Sequence, residues 1–163
     1  PSMEVGEILT RGPQVFKGYW NNPDATRNAF VEIDGKSWFR TGDLAYVDAD
    51  GYFFMVDRLK RMINASGFKV WPAEVEALMY QHPAIQDAAL VGMPDPRMGE
   101  RGCLYVTLVP GASFDMNELR RYLDEQKMAR QYWPERLEVR EELPRTPSGK
   151  IQKFMLREQA KGA

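Results

Sequence analysis

The first third of the chain alternates apolar and polar residues in the short runs that are typical of strands. One strand is predicted over residues 5–11, and two more, over 44–47 and 52–56, flank a short Asp-Gly turn. Asp-Gly between two apolar runs is a strong signal for a β-hairpin. Residues 22–24 read Asn-Pro-Asp, a typical helix start, and we expect this helix to run to about Phe30. The segment is therefore predicted to be β-rich.

After residue 58 the pattern changes to strands and helices that alternate along the chain. The strands expected here cover four segments: 61–64, 88–91, 104–109 and residues 137 and 139. The helices are expected to begin at three places: Pro72, the capping box at Asp115, and Lys150. The last helix would bury Ile151, Phe154 and Met155. We predict an α+β fold of two modules, 1–57 and 58–163, the second with helices packed on a small mixed sheet.

Composition excludes several classes of function. The 22 basic and 23 acidic residues nearly cancel, and no basic stripe stands out, so nucleic acid is not an expected partner. No apolar run approaches the ~18 residues of a membrane-spanning helix. Cys103 is the only cysteine, which excludes a disulfide framework within one chain and favours a cytoplasmic protein. The first strand begins almost at residue 1, so we expect a fragment of a longer chain.

The segment with the strongest chemical signal is 143–151, a loop shaped by two prolines and a glycine that presents Lys150. A Gly-Lys pair also occurs in the phosphate loops of nucleotide hydrolases. That motif, however, needs glycine where Pro144 stands and serine or threonine where Ile151 stands. Taken alone, the loop is typical of an exposed turn with a solvated lysine.

Three further segments each have a chemical and a purely structural interpretation. Asp43 precedes a predicted strand, where a carboxylate is able to accept both hydroxyls of a ribose, although an ordinary Gly-Asp turn would look the same. Residues 57–60 are charged and lie where the modules meet, as either a salt-bridged linker or a hinge. Ser66, Gly67 and Phe68 suit close approach by a ligand chain, but equally suit a tight turn.

Taken together, these segments occur in the order and spacing of a known family. The matching motifs span essentially the whole chain: Gly6-Glu7-Ile8, Arg11-Gly12-Pro13, Gly18-Tyr19-Trp20-Asn21, Trp38-Phe39-Arg40-Thr41-Gly42-Asp43, Asp50-Gly51-Tyr52, Asp57-Arg58, Gly67, Pro72-Ala73-Glu74-Val75-Glu76, Gly92-Met93-Pro94-Asp95 and the lysine loop. The chain resembles the C-terminal part of the adenylate-forming superfamily. That superfamily contains acyl-CoA synthetases, aryl-CoA ligases, luciferases and the adenylation domains of peptide synthetases.

The resemblance implies a two-step reaction and assigns residues to it. A carboxylic acid and ATP would form an acyl-adenylate with release of pyrophosphate, and the thiol of CoA would then displace AMP. Asp43 matches the ribose-binding aspartate, and Arg58 matches the arginine that helps to hold the ribose or a phosphate. Lys150 matches the catalytic lysine that bridges the substrate carboxylate and the nucleotide, where a compact cation offsets developing negative charge.

The resemblance also implies that the small domain moves between the two steps. The first module would be the end of the large domain, a remnant of its barrel-like part, and the second module would be the mobile lid. Lys60 matches the hinge position, and a few residues at the end of an element are able to absorb a large rotation. Ser66, Gly67 and Phe68 match the face that lines the path of the CoA pantetheine arm in the second step.

Other parts of such an enzyme are expected upstream of this chain. They include the phosphate loop for ATP, the Mg²⁺ ligands and the acyl pocket. We therefore assign no metal ligand within the chain and expect the fragment alone to be inactive. Val15, Phe16, Tyr19 and Trp20 would pack on the upstream body, which predicts an exposed apolar patch or self-association.

Two positions favour a fatty or other aliphatic acid as the substrate. Asn64 stands where aryl-CoA ligases often have lysine, and Asp57 stands where many members have glycine. Two alternative functions stay open. One is an enzyme that passes its acyl group to a carrier-protein thiol, and the other is a nucleotide-binding or interaction module without chemistry of its own.

Overall fold

A computed structural model describes residues 4–162. These residues form two compact units, and the boundary between the units along the chain lies between Lys60 and Arg61. The described part of the chain contains four α-helices and two sheets, one sheet in each unit. The predicted α+β fold class is therefore confirmed. Within the same residues, no helix combines the length and the apolar character that crossing a lipid bilayer requires.

The first unit is an antiparallel sheet with one short helix. Its elements are β1 (Gly6–Thr10), α1 (Pro23–Ala29), β2 (Phe30–Ile33), β3 (Lys36–Val47) and β4 (Phe53–Arg58). The long strand β3 pairs with all three other strands. The predicted hairpin of β3 and β4 is confirmed. The start of α1 is confirmed as well, because the Asn22 side chain accepts the N–H of Ala25 at 3.0 Å and caps the helix.

The hairpin of β2 and β3 is an addition to the elements expected from the sequence. Asp34 and Gly35 form its turn with φ angles of 51° and 68°, the conformation for which Asp-Gly is a preferred pair. The sequence pattern does not predict this hairpin, because β2 begins at Phe30, directly after the last residue of α1, with no loop between the two elements. The helix prediction therefore extends one residue into the strand.

Aromatic rings pack together on the first unit, yet several stay exposed. Phe16 contacts Tyr19 and Phe39, with ring centroids 5.1 Å apart in both pairs. Phe16 and Tyr19 are nevertheless exposed, Trp20 is 97% exposed, and Val15 is half-buried. The predicted apolar patch is therefore present on the surface, and self-association through it stays a prediction.

The second unit is built on a five-stranded mixed sheet. Its elements are β5 (Ile63–Ala65), β6 (Phe68–Val70), α2 (Pro72–Met79), β7 (Ile85–Asp95), β8 (Gly99–Leu108), α3 (Met116–Glu125), β9 (Arg136–Val139) and α4 (Lys153–Lys161). All strand pairs are antiparallel except β8 with β9, which are parallel. Asp115 caps α3 as predicted, because its carboxylate accepts the N–H groups of Asn117 and Glu118 at 2.8 Å.

Helices cover both faces of this sheet, which explains the unbroken apolar runs in its two longest strands. Side chains alternate along β7, so that Ala88 and Leu90 join the core that contains α2 and α3, whereas Ala89 and Val91 join the core that contains α4. β8 alternates in the same way between the two cores. The sheet is therefore the middle layer of a three-layer unit.

The last helix begins later than predicted. α4 starts at Lys153, whereas the sequence pattern indicates a start near Lys150. Ile151 instead forms an isolated antiparallel bridge with Arg145. The backbone around Lys150 is therefore held as part of a loop, and the helix begins only after the loop has closed.

The buried face of α4 also differs from the prediction. Phe154 is 68% exposed and Met155 is 39% exposed, so the expectation that they are buried is wrong. Ile151 is half-buried and packs on the sheet from outside the helix. The residues of α4 that reach the core are Leu156 and Ala160, which lie on one helix face at the spacing of i and i+4.

Candidate functional site

Asp43 and Arg58 lie directly opposite each other on β3 and β4. Arg58 Nε is 2.8 Å from Asp43 Oδ1, and the two side chains are 63% and 29% exposed, respectively. An ion pair this exposed contributes little to stability. Both groups are accessible to a ligand. The structure therefore brings together, on one exposed surface, the two residues that the family resemblance assigns to nucleotide binding.

Glu7 holds the segment of β3 that carries Asp43, a contact that the sequence does not reveal. One carboxylate oxygen of Glu7 accepts the N–H of Gly42 at 3.0 Å, and the other accepts Nε and Nη2 of Arg40 at 3.0 and 2.8 Å. Thr41 adds to the clamp, because its hydroxyl donates to a β1 carbonyl at 2.7 Å and accepts the N–H of Asp43 at 3.1 Å. The backbone on which Asp43 sits is therefore fixed from β1.

Removal of the Glu7 carboxylate should destabilise the first unit. In Glu7→Ala the half-buried Gly42 N–H and the Arg40 guanidinium lose their shared acceptor, and hydrogen bonds to charged groups contribute about 1.5–3 kcal/mol. We expect the free energy of unfolding to fall by about 2 kcal/mol. The measurement is urea unfolding of this chain, followed by the NMR signal of the Trp38 indole N–H. Glu32→Ala, an exposed position on β2, is the control and should change stability by less than about 0.5 kcal/mol. Equal midpoints for the two variants would show that the clamp contributes nothing.

Lys60 lies in a single 3₁₀ turn, Leu59–Arg61, that directly follows β4. The side chain of Lys60 is exposed, and Lys60 is the last residue of the first unit. A short turn between elements is a segment in which a few torsion angles are able to change while the flanking sheets stay rigid.

Ser66 and Gly67 form the predicted turn between β5 and β6. Their φ angles are 52° and 85°, a conformation that suits the small glycine and is unusual for serine. The Gly67 N–H donates to Asn64 Oδ1 at 3.1 Å, and the Ser66 N–H donates to the carbonyl of Met98 at 2.8 Å. Phe68 follows with 57% of its surface exposed. The turn is thus a fixed element that presents an aromatic ring.

A cavity of ≈ 370 Å³ borders this turn within the second unit. Ser66 and Phe68 line one part of it, and Arg130 and Trp133 line another. The Arg130 guanidinium lies 3.9 Å from the centroid of the Trp133 ring, which is a cation–π arrangement. The cavity therefore combines aromatic surface with positive charge.

Asp95 holds the loop that supports the turn. Its Oδ1 accepts the N–H groups of Arg97 and Met98 at 2.9 and 2.8 Å, and Arg101 Nε lies 2.6 Å from its Oδ2. The hydrogen bond from the Met98 N–H is the largest cause that lowers the pKa of Asp95, and it outweighs the opposing effect of burial. Asp95 is thus stabilised as a carboxylate and acts as a structural anchor.

Lys150 lies in a loop closed by its own backbone. The N–H of Thr146 donates to the carbonyl of Lys150 at 2.8 Å, and the N–H of Gly149 donates to the carbonyl of Thr146 at 2.8 Å. The N–H of Lys150 in turn donates to Thr146 Oγ1 at 3.1 Å. Gly149 has a φ of 83°, which favours glycine. Because Lys150 is exposed, the loop presents its ammonium group from a fixed backbone.

Two ion pairs that the sequence reasoning missed tie this loop to the rest of the unit. Arg145 Nη2 lies 2.6 Å from Asp87 Oδ2, and Lys153 Nζ lies 2.6 Å from Glu76 Oε2. Only the basic partners are close to Lys150 in the sequence. The acidic partners come from β7 and α2, and no local signal identifies them.

The lysine loop and the Ser66 turn lie at opposite ends of the second sheet. The loop contacts Asp87 near the start of β7, whereas the turn adjoins Gly99, which pairs with Asp95 at the end of β7. The eight residue steps from position 87 to position 95 span roughly 26 Å in an extended strand. The two elements therefore contact opposite ends of β7.

Two other kinds of chemistry have no site among residues 4–162. No group of three or more His, Cys, Asp or Glu side chains in this part is arranged to hold a metal ion. Burial raises the pKa of the Cys103 thiol, which is a member of the core that contains α4. A protonated, buried thiol is neither a nucleophile nor a metal ligand, so Cys103 is a packing residue.

Comparisons with known proteins show what this chain is similar to. Residues 74–150 match the family model of the AMP-binding enzyme C-terminal domain. A feruloyl-CoA synthase from Amycolatopsis sp is 44% identical over 157 residues, which cover 96% of this chain and 31% of that protein. A long-chain-fatty-acid–CoA ligase from Bacillus subtilis (strain 168) is 43% identical over 156 residues, which cover 96% of this chain and 27% of the ligase.

A solved structure shows the same fold. The crystal structure of ATP-bound MatB from Rhodopseudomonas palustris superposes with a TM-score of 0.87 at 35% identity, covering 98% of this chain and 31% of MatB. The part that matches the C-terminal domain of AMP-binding enzymes includes most of the second unit and ends at Lys150. Over nearly its whole length, the chain is similar to the C-terminal part of acyl-CoA ligases. It spans less than a third of the length of these relatives.

Proposed function

We propose that the chain is the C-terminal part of an AMP-forming acyl-CoA synthetase. The whole enzyme would join a carboxylic acid to ATP, release pyrophosphate, and pass the acyl group from AMP to the thiol of CoA. The observation that carries this proposal is the closed loop that presents Lys150 from a fixed backbone. The names of the relatives, a feruloyl-CoA synthase and a fatty-acid–CoA ligase, support it.

In this proposal Lys150 is the catalytic residue of the first step. When the substrate carboxylate attacks the α-phosphorus of ATP, negative charge is shared between the attacking oxygen and the phosphoryl oxygens. An ammonium group placed between them stabilises the transition state, and its compact charge suits that position. The closed loop supports this assignment because the backbone of Lys150 is ordered before a ligand arrives.

Asp43 and Arg58 would hold the nucleotide. Arg58 Nε contacts Oδ1 of the Asp43 carboxylate, and Oδ2 would accept the two hydroxyls of a ribose. The Arg58 guanidinium has five N–H donors and is able to bind a phosphate or ribose oxygen while it keeps its contact with Asp43. The Glu7 clamp supports this assignment, since it fixes the segment of β3 that carries Asp43.

The second step would use the Ser66 turn. Ser66, Gly67 and Phe68 would line the path of the CoA pantetheine arm, and the turn's small residues leave room for that chain. The separation of this turn from the lysine loop supports a rotation between the two steps. Lys60 would be the hinge for this rotation, because it lies in the short turn that follows β4.

The remaining parts of the site would come from the upstream region of the enzyme. They include the loop that binds the ATP phosphates, the ligands of Mg²⁺, and the pocket for the acid. We therefore propose that this chain alone is inactive. The exposed residues Phe16, Tyr19 and Trp20 would pack on that upstream region or, in the isolated chain, on a second copy.

For the acid, we propose a fatty acid first and an aromatic acid as the alternative. The two positions that favour a fatty acid have local contacts. Asn64 Oδ1 accepts the N–H of Gly67, and Asp57 Oδ1 accepts the N–H of Arg58. Contacts of this kind stabilise turns and strands and carry no direct information about an acyl pocket. The choice between a fatty acid and an aromatic acid is therefore tested by offering both acids to the enzyme in competition.

The test is an assay of the full-length enzyme that contains this chain. Purified enzyme with ATP and Mg²⁺ is offered equal amounts of a long-chain fatty acid and ferulate, with CoA as the thiol. We expect release of pyrophosphate and AMP and formation of fatty acyl-CoA. This chain alone, as the control, should produce no pyrophosphate, no AMP and no acyl-CoA.

Other products would support other functions. Transfer of the acyl group only to a carrier-protein thiol would indicate a carrier-directed adenylation enzyme. ATP or AMP binding by this chain alone, without turnover by the full-length enzyme, would indicate a nucleotide-binding module. Formation of ADP and phosphate in place of AMP and pyrophosphate would contradict the proposed reaction.

A further inference from the structure

Arg145 connects the lysine loop to the sheet through two separate N–H groups. Its Nη1 donates to the carbonyl of Gly149 at 2.7 Å, and its Nη2 lies 2.6 Å from Asp87 Oδ2. Gly149 directly precedes Lys150. The guanidinium fork makes both contacts at once, which a lysine ammonium on a single stem would do less well.

Asp87 is held in place by the sheet itself. It lies opposite Thr107 in the pairing of β7 with β8, and the Thr107 hydroxyl donates to Asp87 Oδ2 at 3.3 Å. Thr107 is buried, and the side chain of Asp87 is 20% exposed. The hydrogen bond with Asp87 is also the largest cause that raises the pKa of Arg145. Arg145 therefore binds an acceptor whose position is set by buried neighbours.

A second ion pair fixes the other end of the loop. Lys153 Nζ contacts Glu76 Oε2 at 2.6 Å, and Glu76 Oε1 accepts the N–H of Leu90 at 2.7 Å. The side chains of Lys153 and Glu76 are only 18% and 12% exposed. The first residue of α4 is therefore tied to α2, and through Glu76 to β7, three positions along the strand from Asp87. One end of the loop that carries Lys150 is thus anchored to β7 directly, and the other through Glu76.

We propose that Arg145 and Asp87 are positioning residues for Lys150, with Lys153 and Glu76 as the second anchor. The lysine side chain is long and exposed, so the placement of its ammonium depends on the placement of its backbone. The pair would fix that backbone by holding the carbonyl of Gly149 against β7. The structural part of this inference stands on the contacts alone, and its consequence for acyl-adenylate formation rests on the proposed function.

The first experiment measures the loop in this chain, without turnover. Asp87→Asn keeps the shape of the side chain but removes the charge that Arg145 binds. We expect the amides of Gly149 and Lys150 to exchange with deuterium about 10-fold faster, with the amides of β8 unchanged. Glu138→Gln is the matched control, because Glu138 lies on β9, is 21% exposed and pairs with Arg136 and Arg140. It should leave the exchange of the loop amides unchanged.

The second experiment measures catalysis in the full-length enzyme. Asp87→Asn should lower kcat for acyl-adenylate formation about 10- to 100-fold, since a displacement of about 1 Å has effects of this size. The KM for ATP and the rate of thioester formation from preformed acyl-adenylate should change little. Arg145→Lys should show a similar loss, because one ammonium replaces a fork that joins two acceptors.

The outcomes separate this inference from the proposed function. Unchanged loop exchange in Asp87→Asn, or an equal change in Glu138→Gln, overturns the positioning role. Full activity of Arg145→Lys overturns the two-contact argument. If Lys150→Ala leaves acyl-adenylate formation intact, the proposed function fails, whereas the exchange result still decides whether Arg145 and Asp87 hold the loop.

Discussion

Lys150→Ala should lower the rate of acyl-adenylate formation by about 100- to 1,000-fold in the full-length enzyme that contains this chain. The alanine removes the ammonium group and leaves the loop intact, because the hydrogen bonds that close the loop use the backbone of Lys150 and the Thr146 hydroxyl. Charge that develops in the transition state then has no compact cation to stabilise it. In the proposed function other residues bind ATP, so the KM for ATP should change much less.

The measurement compares the two half-reactions. Acyl-adenylate formation is followed by pyrophosphate release from acid and ATP, and thioester formation is followed from preformed acyl-adenylate and CoA. We expect the second rate to stay within about threefold of the wild-type value, because the lysine loop and the Ser66 turn contact opposite ends of β7, at positions roughly 26 Å apart along the strand. Lys127→Ala, an exposed lysine after α3, is the control and should leave both rates unchanged.

A large loss of thioester formation in Lys150→Ala would contradict this division of labour. It would mean that the lysine loop serves both steps or that the variant disturbs the fold. Thermal unfolding of the variant separates these explanations. An unchanged melting temperature assigns the loss to chemistry, and a lowered one assigns it to the fold.

The strands of the second sheet show how far an apolar pattern predicts structure. The strand over residues 88–91 is found inside β7, because four consecutive apolar residues with helices on both faces leave few alternatives. The boundaries are less predictable. β7 runs from Ile85 to Asp95, and its ends are set by pairing with β8 rather than by its own apolar residues.

The start of the last helix shows where a local pattern is insufficient. Apolar residues at positions 151, 154 and 155 have helical spacing, and the sequence therefore indicates a helix from about Lys150. The backbone there is committed to other partners, since the carbonyl of Lys150 accepts the N–H of Thr146 and Ile151 bridges to Arg145. These bonds form only when two segments meet in a turn, which periodicity does not describe.

The residues of the candidate site likewise fall into two groups, those that the sequence identifies and those that only the structure identifies. Lys150 stands in a loop and Asp43 in β3, each within a distinctive motif, so motifs are enough to select them. Glu7 is 33 positions from Arg40, and Glu76 is 77 positions from Lys153, so the contacts that hold these segments depend on the tertiary fold. A single sequence thus selects the residues proposed to carry the chemistry, and the structure is needed to find the residues that place them.

Lys60→Pro should slow thioester formation by about 100-fold in the full-length enzyme while acyl-adenylate formation falls much less. Proline fixes its own φ near −65° and restricts the preceding residue, here Leu59, to extended conformations. The turn that contains Lys60 would therefore lose the torsional freedom that a rotation between the two steps needs. We expect the first step to be less sensitive, because it does not require the enzyme to leave its first orientation.

Lys60→Ala is the matched control for this experiment, because it removes the same charge and keeps the backbone free to rotate. Both variants are assayed with acid and ATP, and then with preformed acyl-adenylate and CoA. We expect alanine to leave both rates close to wild type, so that the loss in the proline variant belongs to the backbone. Equal losses in the two steps for proline, or an equal loss of thioester formation for alanine, would refute the assignment of Lys60 as the hinge. In that case the rotation would have to occur at another residue between β4 and β5.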